Sequence, residues 1–142
     1  MRRFARHGRR SGFELAVEAG LKAQGISYTY ETYSYNYFKK VTRGQCHDCG
    51  SKELYKEAWY TPDFFIKGGI ILETKGKFTA ADRAKMLAVR ELHPSLDLRL
   101  VFMRDNKISR VSNTRYSTWA EANGFLYSIG TDLPLTWIKE ME

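Results

Sequence analysis

Tyr60-Thr61-Pro62-Asp63-Phe64-Phe65-Ile66-Lys67-Gly68-Gly69-Ile70-Ile71-Leu72-Glu73-Thr74-Lys75-Gly76 is the stretch around which this chain is organised. Two apolar runs, Phe64–Ile66 and Ile70–Leu72, flank Lys67-Gly68-Gly69. Short apolar runs around a glycine-containing break read as a hairpin of two buried strands. With residues 67–69 as the loop, Ile66 pairs with Ile70 and Asp63 falls opposite Glu73. Opposed side chains share a face, with Cβ atoms roughly 4.5–5.5 Å apart. Side chains alternate along a strand, so Lys75 lies on the face of Glu73. Asp63, Glu73 and Lys75 therefore converge.

Two opposed carboxylates repel and need compensating positive charge. A hard divalent cation with oxygen ligands, typically magnesium, supplies it. A lysine beside such an ion can hold an attacking water or offset charge growing on a phosphate. The pattern points to metal-assisted phosphodiester hydrolysis. The competing reading is a surface hairpin whose acids are paired by lysines. Against it, the three charges sit at the ends of apolar strands, and Pro62 marks the start of the first, where its missing N–H costs least.

The 142 residues suffice for one domain with a core. The apolar and charged fractions, 43% and 27%, exclude a disordered chain. No apolar run approaches the ~20 residues that span a bilayer. No apolar segment follows the basic N-terminus, so a secretory signal is not expected and a cytoplasmic setting is. The only cysteines, Cys46 and Cys49, are too close to staple the fold, which agrees with a reducing compartment.

Net charge is +7. Arg2, Arg3, Arg6, Arg9 and Arg10 crowd the first ten residues, while the rest of the chain holds 18 basic and 16 acidic residues. This reads as a near-neutral globule (residues 11–142) with a flexible basic arm (1–10). Arginine-rich arms suit phosphate backbones and order on binding, although a solubilising or targeting tail has the same composition.

Ser11 with Glu14 three residues on forms a capping-box pattern, and Phe13, Val17 and Leu21 give a helical stripe ended at Gly25. Spacing alone favours a capping role for Glu14 over a ligand role. Ile26–Tyr37 is dense in tyrosine and β-branched residues and reads as one long strand or extended arm. Its rings could stack on bases, pack at an interface, or line a half-buried sheet. Residues 38–59 read as irregular. Within them Cys46-His47-Asp48-Cys49-Gly50 is half of a zinc knuckle; a second copy of the chain could complete a Cys₄ site. A redox pair or a chance spacing stands beside that reading. His47 is badly placed to join the two thiols on one ion, and His7 and His93 are remote.

Residues 80–93 read as a helix with Met86, Leu87, Val89 and Leu92 apolar and Arg83, Lys85 and Arg90 elsewhere around it, ended by His93-Pro94. Residues 96–102 read as a core strand and 125–129 as a short last strand. Between them lies a helix with Trp119 and Ala122, capped by Thr114 or Ser117 and closed by Gly124. The order gives an α/β fold, a central mixed sheet flanked by helices.

Pro62-Asp63, nine residues, then Glu73-Thr74-Lys75 matches the PD-(D/E)XK nuclease signature. Arg10-Ser11-Gly12-Phe13-Glu14, Tyr60-Thr61-Pro62-Asp63-Phe64, Glu73-Thr74-Lys75-Gly76, the segment from Asp82-Arg83 through Arg90-Glu91, and His93-Pro94-Ser95-Leu96-Asp97-Leu98-Arg99 together resemble phage endonuclease I, the Holliday-junction-resolving enzyme of podophages. The likeness spans roughly residues 9–140. It implies the PD-(D/E)XK fold and a homodimer that cuts two strands of a four-way DNA junction, in the host bacterial cytoplasm. Less selective cutting (mismatches, nicking, host-DNA degradation) is the alternative within the fold. A non-catalytic DNA-binding module is the alternative outside it, disfavoured because binding alone needs no opposed carboxylates.

By the same resemblance, Asp63, Glu73 and Glu14 bind magnesium, for which manganese can substitute, with the Thr74 backbone carbonyl, and Lys75 is the catalytic lysine. The dimer is domain-swapped, so that Glu14 and Asp63 of one chain serve different sites. Arg2, Arg3, Arg6, Arg9 and Arg10, with Lys77, Arg83, Lys85 and Arg90, would grip the DNA arms by phosphate contacts that read no sequence. Residues at about 39–58 stand out as an insertion carrying the Cys-x-x-Cys, where two copies could share a zinc ion through Cys46 and Cys49.

Overall fold

A computed structural model describes residues 1–4, 11–41 and 54–142. Arg6, Arg9, Arg10, Cys46 and Cys49 lie outside the described residues. Elements run β1 (Arg2–Phe4), α1 (Gly12–Ala23), β2 (Tyr28–Tyr30), β3 (Tyr33–Val41), β4 (Leu54–Tyr60), β5 (Phe64–Ile66), β6 (Ile70–Lys75), α2 (Ala80–Leu92), β7 (Asp97–Phe102), α3 (Tyr116–Ala122), β8 (Tyr127–Ile129) and α4 (Leu135–Met141). No described helix is long and apolar enough to cross a membrane.

The central sheet is mixed, in the order β2-β5-β6-β7-β8. β5 and β6 form the expected antiparallel hairpin, with Phe64 opposite Leu72 and Phe65 opposite Ile71, the register that sets Asp63 against Glu73. Gly68 and Gly69 turn it at φ of 107° and 104°, a region that only glycine enters cheaply. β6, β7 and β8 are parallel, which requires crossovers, and α2 and α3 provide them.

Alternation along β6 feeds two cores. Ile70 and Leu72 join Val17 and Leu21 of α1 and Trp137, Ile138 and Met141 of α4. Ile71 joins Met86 and Val89 of α2, Phe78, Phe102, and Tyr35, Tyr37 and Tyr60 of a second sheet. Glu73 and Lys75 continue the Ile71 side, so the charged end of the hairpin opens toward α2.

Three expectations need correction. The tyrosine-rich run is two strands, in different sheets, broken at Glu31, whose φ is 45°. The sequence carries a trace of this break: Tyr28 and Tyr30 keep one phase of alternation, and Tyr33, Tyr35 and Tyr37 keep the other. The supposedly irregular segment is in its described parts a long antiparallel ribbon, β3 on β4, from Tyr35–Tyr60 out to Val41–Leu54. Arg2–Phe4, expected in a flexible arm, form an edge strand on β3. There Arg2 lies 4.4 Å over the Tyr33 ring and Arg3 3.9 Å over that of Trp59; stacked guanidinium groups hold the strand without a core of their own.

Smaller features follow from local chemistry. Thr79 and Asp82 make a full capping box at α2. α3 is capped neither by Thr114 nor by Ser117. The carboxylate of Asp105 instead accepts from the Ser117 backbone N–H and hydroxyl, at 2.9 and 2.6 Å.

Candidate active site

Asp63 and Glu73 are 7% and 3% exposed. The hairpin register forces them together, and each is held by donors. Asp63 Oδ2 accepts from the Thr74 backbone N–H at 2.7 Å and from its hydroxyl at 2.6 Å. Glu73 Oε2 accepts from the Tyr60 hydroxyl at 2.5 Å. Glu73 Oε1 lies 3.1 Å from Lys75 Nζ, which is also 3.5 Å from Asp82. The α2 capping box thus has a second consequence: Thr79 fixes Asp82 Oδ2, and the other oxygen faces Lys75 and Lys85.

Charge follows burial. Desolvation, then the Glu73 charge, pushes Asp63 up to about 8 against the pull of the Thr74 donors. Burial also raises Glu73, opposed by Lys75 and the Tyr60 hydroxyl. Burial would lower Lys75, but Glu73 and Asp82 outweigh it and hold the ammonium above its usual range. Tyr60, fully enclosed and facing Glu73, is raised well above the usual phenol range and stays a donor.

Glu14 reaches the same place from α1. The Ser11 hydroxyl accepts from the Glu14 backbone N–H at 3.1 Å and donates to Glu14 Oε1 at 3.1 Å. Glu14 Oε2 accepts from the Tyr30 hydroxyl. Capping and a site position coexist: Ser11 caps, and the carboxylate points on toward Asp63. Carboxylate oxygens of Glu14, Glu31 and Asp63 all lie within 4.8 Å of one another. Glu31 was not foreseen. Its positive φ turns the chain between β2 and β3, and its N–H donates to the Asp63 carbonyl at 2.9 Å. Glu73 is not in that close set; it stands across Asp63, facing Lys75. A single chain brings Glu14 and Asp63 together, where the resemblance led us to expect them in different sites.

An all-oxygen donor set with a buried carboxylate that resists ionisation fits a hard divalent cation such as magnesium or manganese, which would supply the missing positive charge.

The other basic residues divide. Lys85 lies 5.5 Å over the Tyr60 ring, and Arg83 donates to the Phe78 carbonyl at 2.8 Å, both beside the site. Lys77 is exposed just past β6. Arg90, also expected to contact DNA, donates its guanidinium to the Asn123 carbonyl and lies 4.1 Å over the Phe125 ring, tying α2 to the loop before β8.

Comparison with known proteins agrees with this geometry. A model of the family Phage endonuclease I matches residues 2–142. Endodeoxyribonuclease 1 of Enterobacteria phage T3 is 36% identical over 132 residues, 92% of this chain and 77% of that protein. Endonuclease I of Escherichia phage T7 is also 36% identical over 132 residues, 92% of this chain and 78% of that protein. A chain matched from end to end, with Asp63, Glu73 and Lys75 gathered on one hairpin, belongs to the phage endonuclease I family.

Proposed function

We propose that the protein is a structure-selective endodeoxyribonuclease that resolves four-way DNA junctions by metal-dependent phosphodiester hydrolysis, acting as a homodimer in the cytoplasm of the bacterial host. The observation that carries this reading is the buried Asp63–Glu73 pair with Lys75 beside it, in a chain of this family.

Asp63, with Glu14 and Glu73 and the Thr74 carbonyl, would hold magnesium; Glu31 is near enough to Asp63 to share in it. When bound, the metal supplies a water of lowered pKa and offsets charge on the scissile phosphate. The protein's own groups do the rest. Thr74 fixes one oxygen of Asp63, and the other would be left to hold a cation. Tyr60 and Lys75 grip the two oxygens of Glu73, so its carboxylate cannot rotate. Lys75 stays charged beside Glu73 and can orient the attacking water or offset charge on the phosphate. Arg2, Arg3, Lys77, Arg83 and Lys85, with the arm residues Arg6, Arg9 and Arg10, would position the DNA. Zinc shared through Cys46 and Cys49 of two copies remains part of the proposal; metal analysis of protein purified without chelator, showing no zinc, would remove it.

The test incubates the protein with magnesium and either a four-way junction or a linear duplex of the same arm sequences. Paired symmetric cuts in the junction alone are expected, and Lys75→Ala should slow them by about 10²–10³-fold. Equal cutting of both DNAs would overturn the selectivity; tight junction binding without cutting would overturn the catalysis.

A further inference from the structure

We infer that the outer half of the β3–β4 ribbon is a DNA-backbone clamp, with Lys39 and Lys56 as its phosphate contacts. The inference rests on the nuclease reading for its ligand and on the ribbon for its place.

The inner rungs of the ribbon belong to the core: Tyr35, Tyr37 and Tyr60 are buried. Beyond Ala58 the character changes. Phe38, Lys39 and Lys40 on one strand and Tyr55, Lys56 and Glu57 on the other are exposed, in a ladder that continues to Val41–Leu54. A two-stranded ladder with exposed rungs is marginal by itself and gains from a partner.

The chemistry of that partner is written in the register. Lys39 lies directly opposite Lys56. Like charges at opposed positions are destabilising. Neither lysine has an ion pair among the described residues. The arrangement is stabilised by an anion set between the two ammonium groups, and a phosphodiester backbone is the anion this chain would meet.

Position agrees. Lys39 and Lys56 extend the face that carries Tyr35, Tyr37, Ala58 and Tyr60, because each lies an even number of residues along its strand. Tyr60 is the residue that grips Glu73. Four residues of strand separate the rungs, about 13 Å. That distance is about four base-pair rises of ~3.4 Å. A duplex arm lying along the ribbon would meet the lysine pair about four base pairs beyond the Tyr60 rung. The other side of the ribbon carries Phe38 and Tyr55, 48% and 61% exposed, which makes a second copy of the chain the outcome to test against.

The experiment measures binding of the full chain, in a Lys75→Ala background, to a four-way junction by fluorescence anisotropy over a range of salt concentrations. K39Q/K56Q should reduce the slope of log K against log salt by about 1.8, and K39R/K56R should keep it. An unchanged slope in a K39Q/K56Q protein with an unchanged circular dichroism spectrum overturns the inference. So does an unchanged slope with a lowered mass in sedimentation, which assigns the ribbon to contact between copies. Failure of the nuclease reading would show separately, as an uncut junction with Lys75 intact and magnesium present.

Discussion

If Asp63 holds the metal as proposed, it is the residue at which folding and metal binding are coupled. Its carboxyl is pushed up to about 8, first by burial and then by Glu73, from an ordinary value of 3.8. A carboxyl whose folded pKa lies above its unfolded value favours the fold while protonated. That contribution is complete below about pH 4 and lost by the time pH passes about 8. Metal-free protein should lose stability across this window. A cation beside Asp63 favours the carboxylate and reverses the loss. Each unit by which it lowers the pKa is worth about 1.4 kcal/mol at high pH. The gain in Tm on adding magnesium should therefore grow between about pH 6 and about pH 8.5. Asp63→Asn should flatten the metal-free pH dependence and abolish most of the magnesium gain. Scanning calorimetry at several pH values, with magnesium or with chelator, reads both. A magnesium gain that ignores pH, or survives Asp63→Asn, would remove Asp63 as the ligand.

The β5–β6 hairpin carries three of the four residues expected to do the chemistry, and its loop sets their register. An odd, three-residue connection places Asp63 against Glu73; a slip of one residue would turn Glu73 to the opposite face. Gly68 and Gly69 permit this loop through their positive φ, and the Gly69 N–H closes it onto the Ile66 carbonyl at 3.0 Å. Gly69→Val should cost about 1–3 kcal/mol in urea unfolding. It should also cut nuclease activity more than stability explains, because the register and the fold share that turn. A normal midpoint would mean that the loop tolerates a side chain. This hairpin was legible in sequence because apolar runs, glycines and loop length agree. So was α2, where the spacing of Met86, Val89 and Leu92 and the His93-Pro94 stop agree. The break at Glu31 was not, because tyrosine and threonine favour strand on both sides of it and only a slip in alternation betrays it. With the break hidden, so was Glu31 as the third carboxylate beside Glu14 and Asp63. The β3–β4 ribbon was missed for a similar reason: Lys39, Lys40, Lys56 and Glu57 are poor strand formers, and pairing between remote segments overrides that preference.

At the scale of the whole molecule, the pairing of Glu14 with Asp63 bears on how two copies would assemble. Within one chain, α1 packs on the Ile70–Leu72 side of the sheet and carries Glu14 to Asp63. If two copies exchanged α1, the same contacts would form between chains; the packing would be unchanged and only the connectivity would differ. The two arrangements separate cleanly in a mixing experiment. Glu14→Ala and Lys75→Ala each remove one half of the site, and each homodimer should be inactive. In an exchanged heterodimer, one site combines intact Glu14 from the Lys75→Ala chain with intact Lys75 from the Glu14→Ala chain. The other site lacks both. Co-refolded variants should then nick one strand of a four-way junction per dimer and leave its symmetric partner uncut. In a dimer without exchange every site lacks one residue, and the mixture stays as inactive as its parts. Nicking in the co-refolded mixture, absent when the two variants are mixed without refolding, is the outcome expected of the domain-swapped dimer that the family resemblance implies. Its absence, with heterodimers shown to be present by differential tagging, would place the whole active site in one chain. The two coordinated cuts would then depend on the dimer interface alone.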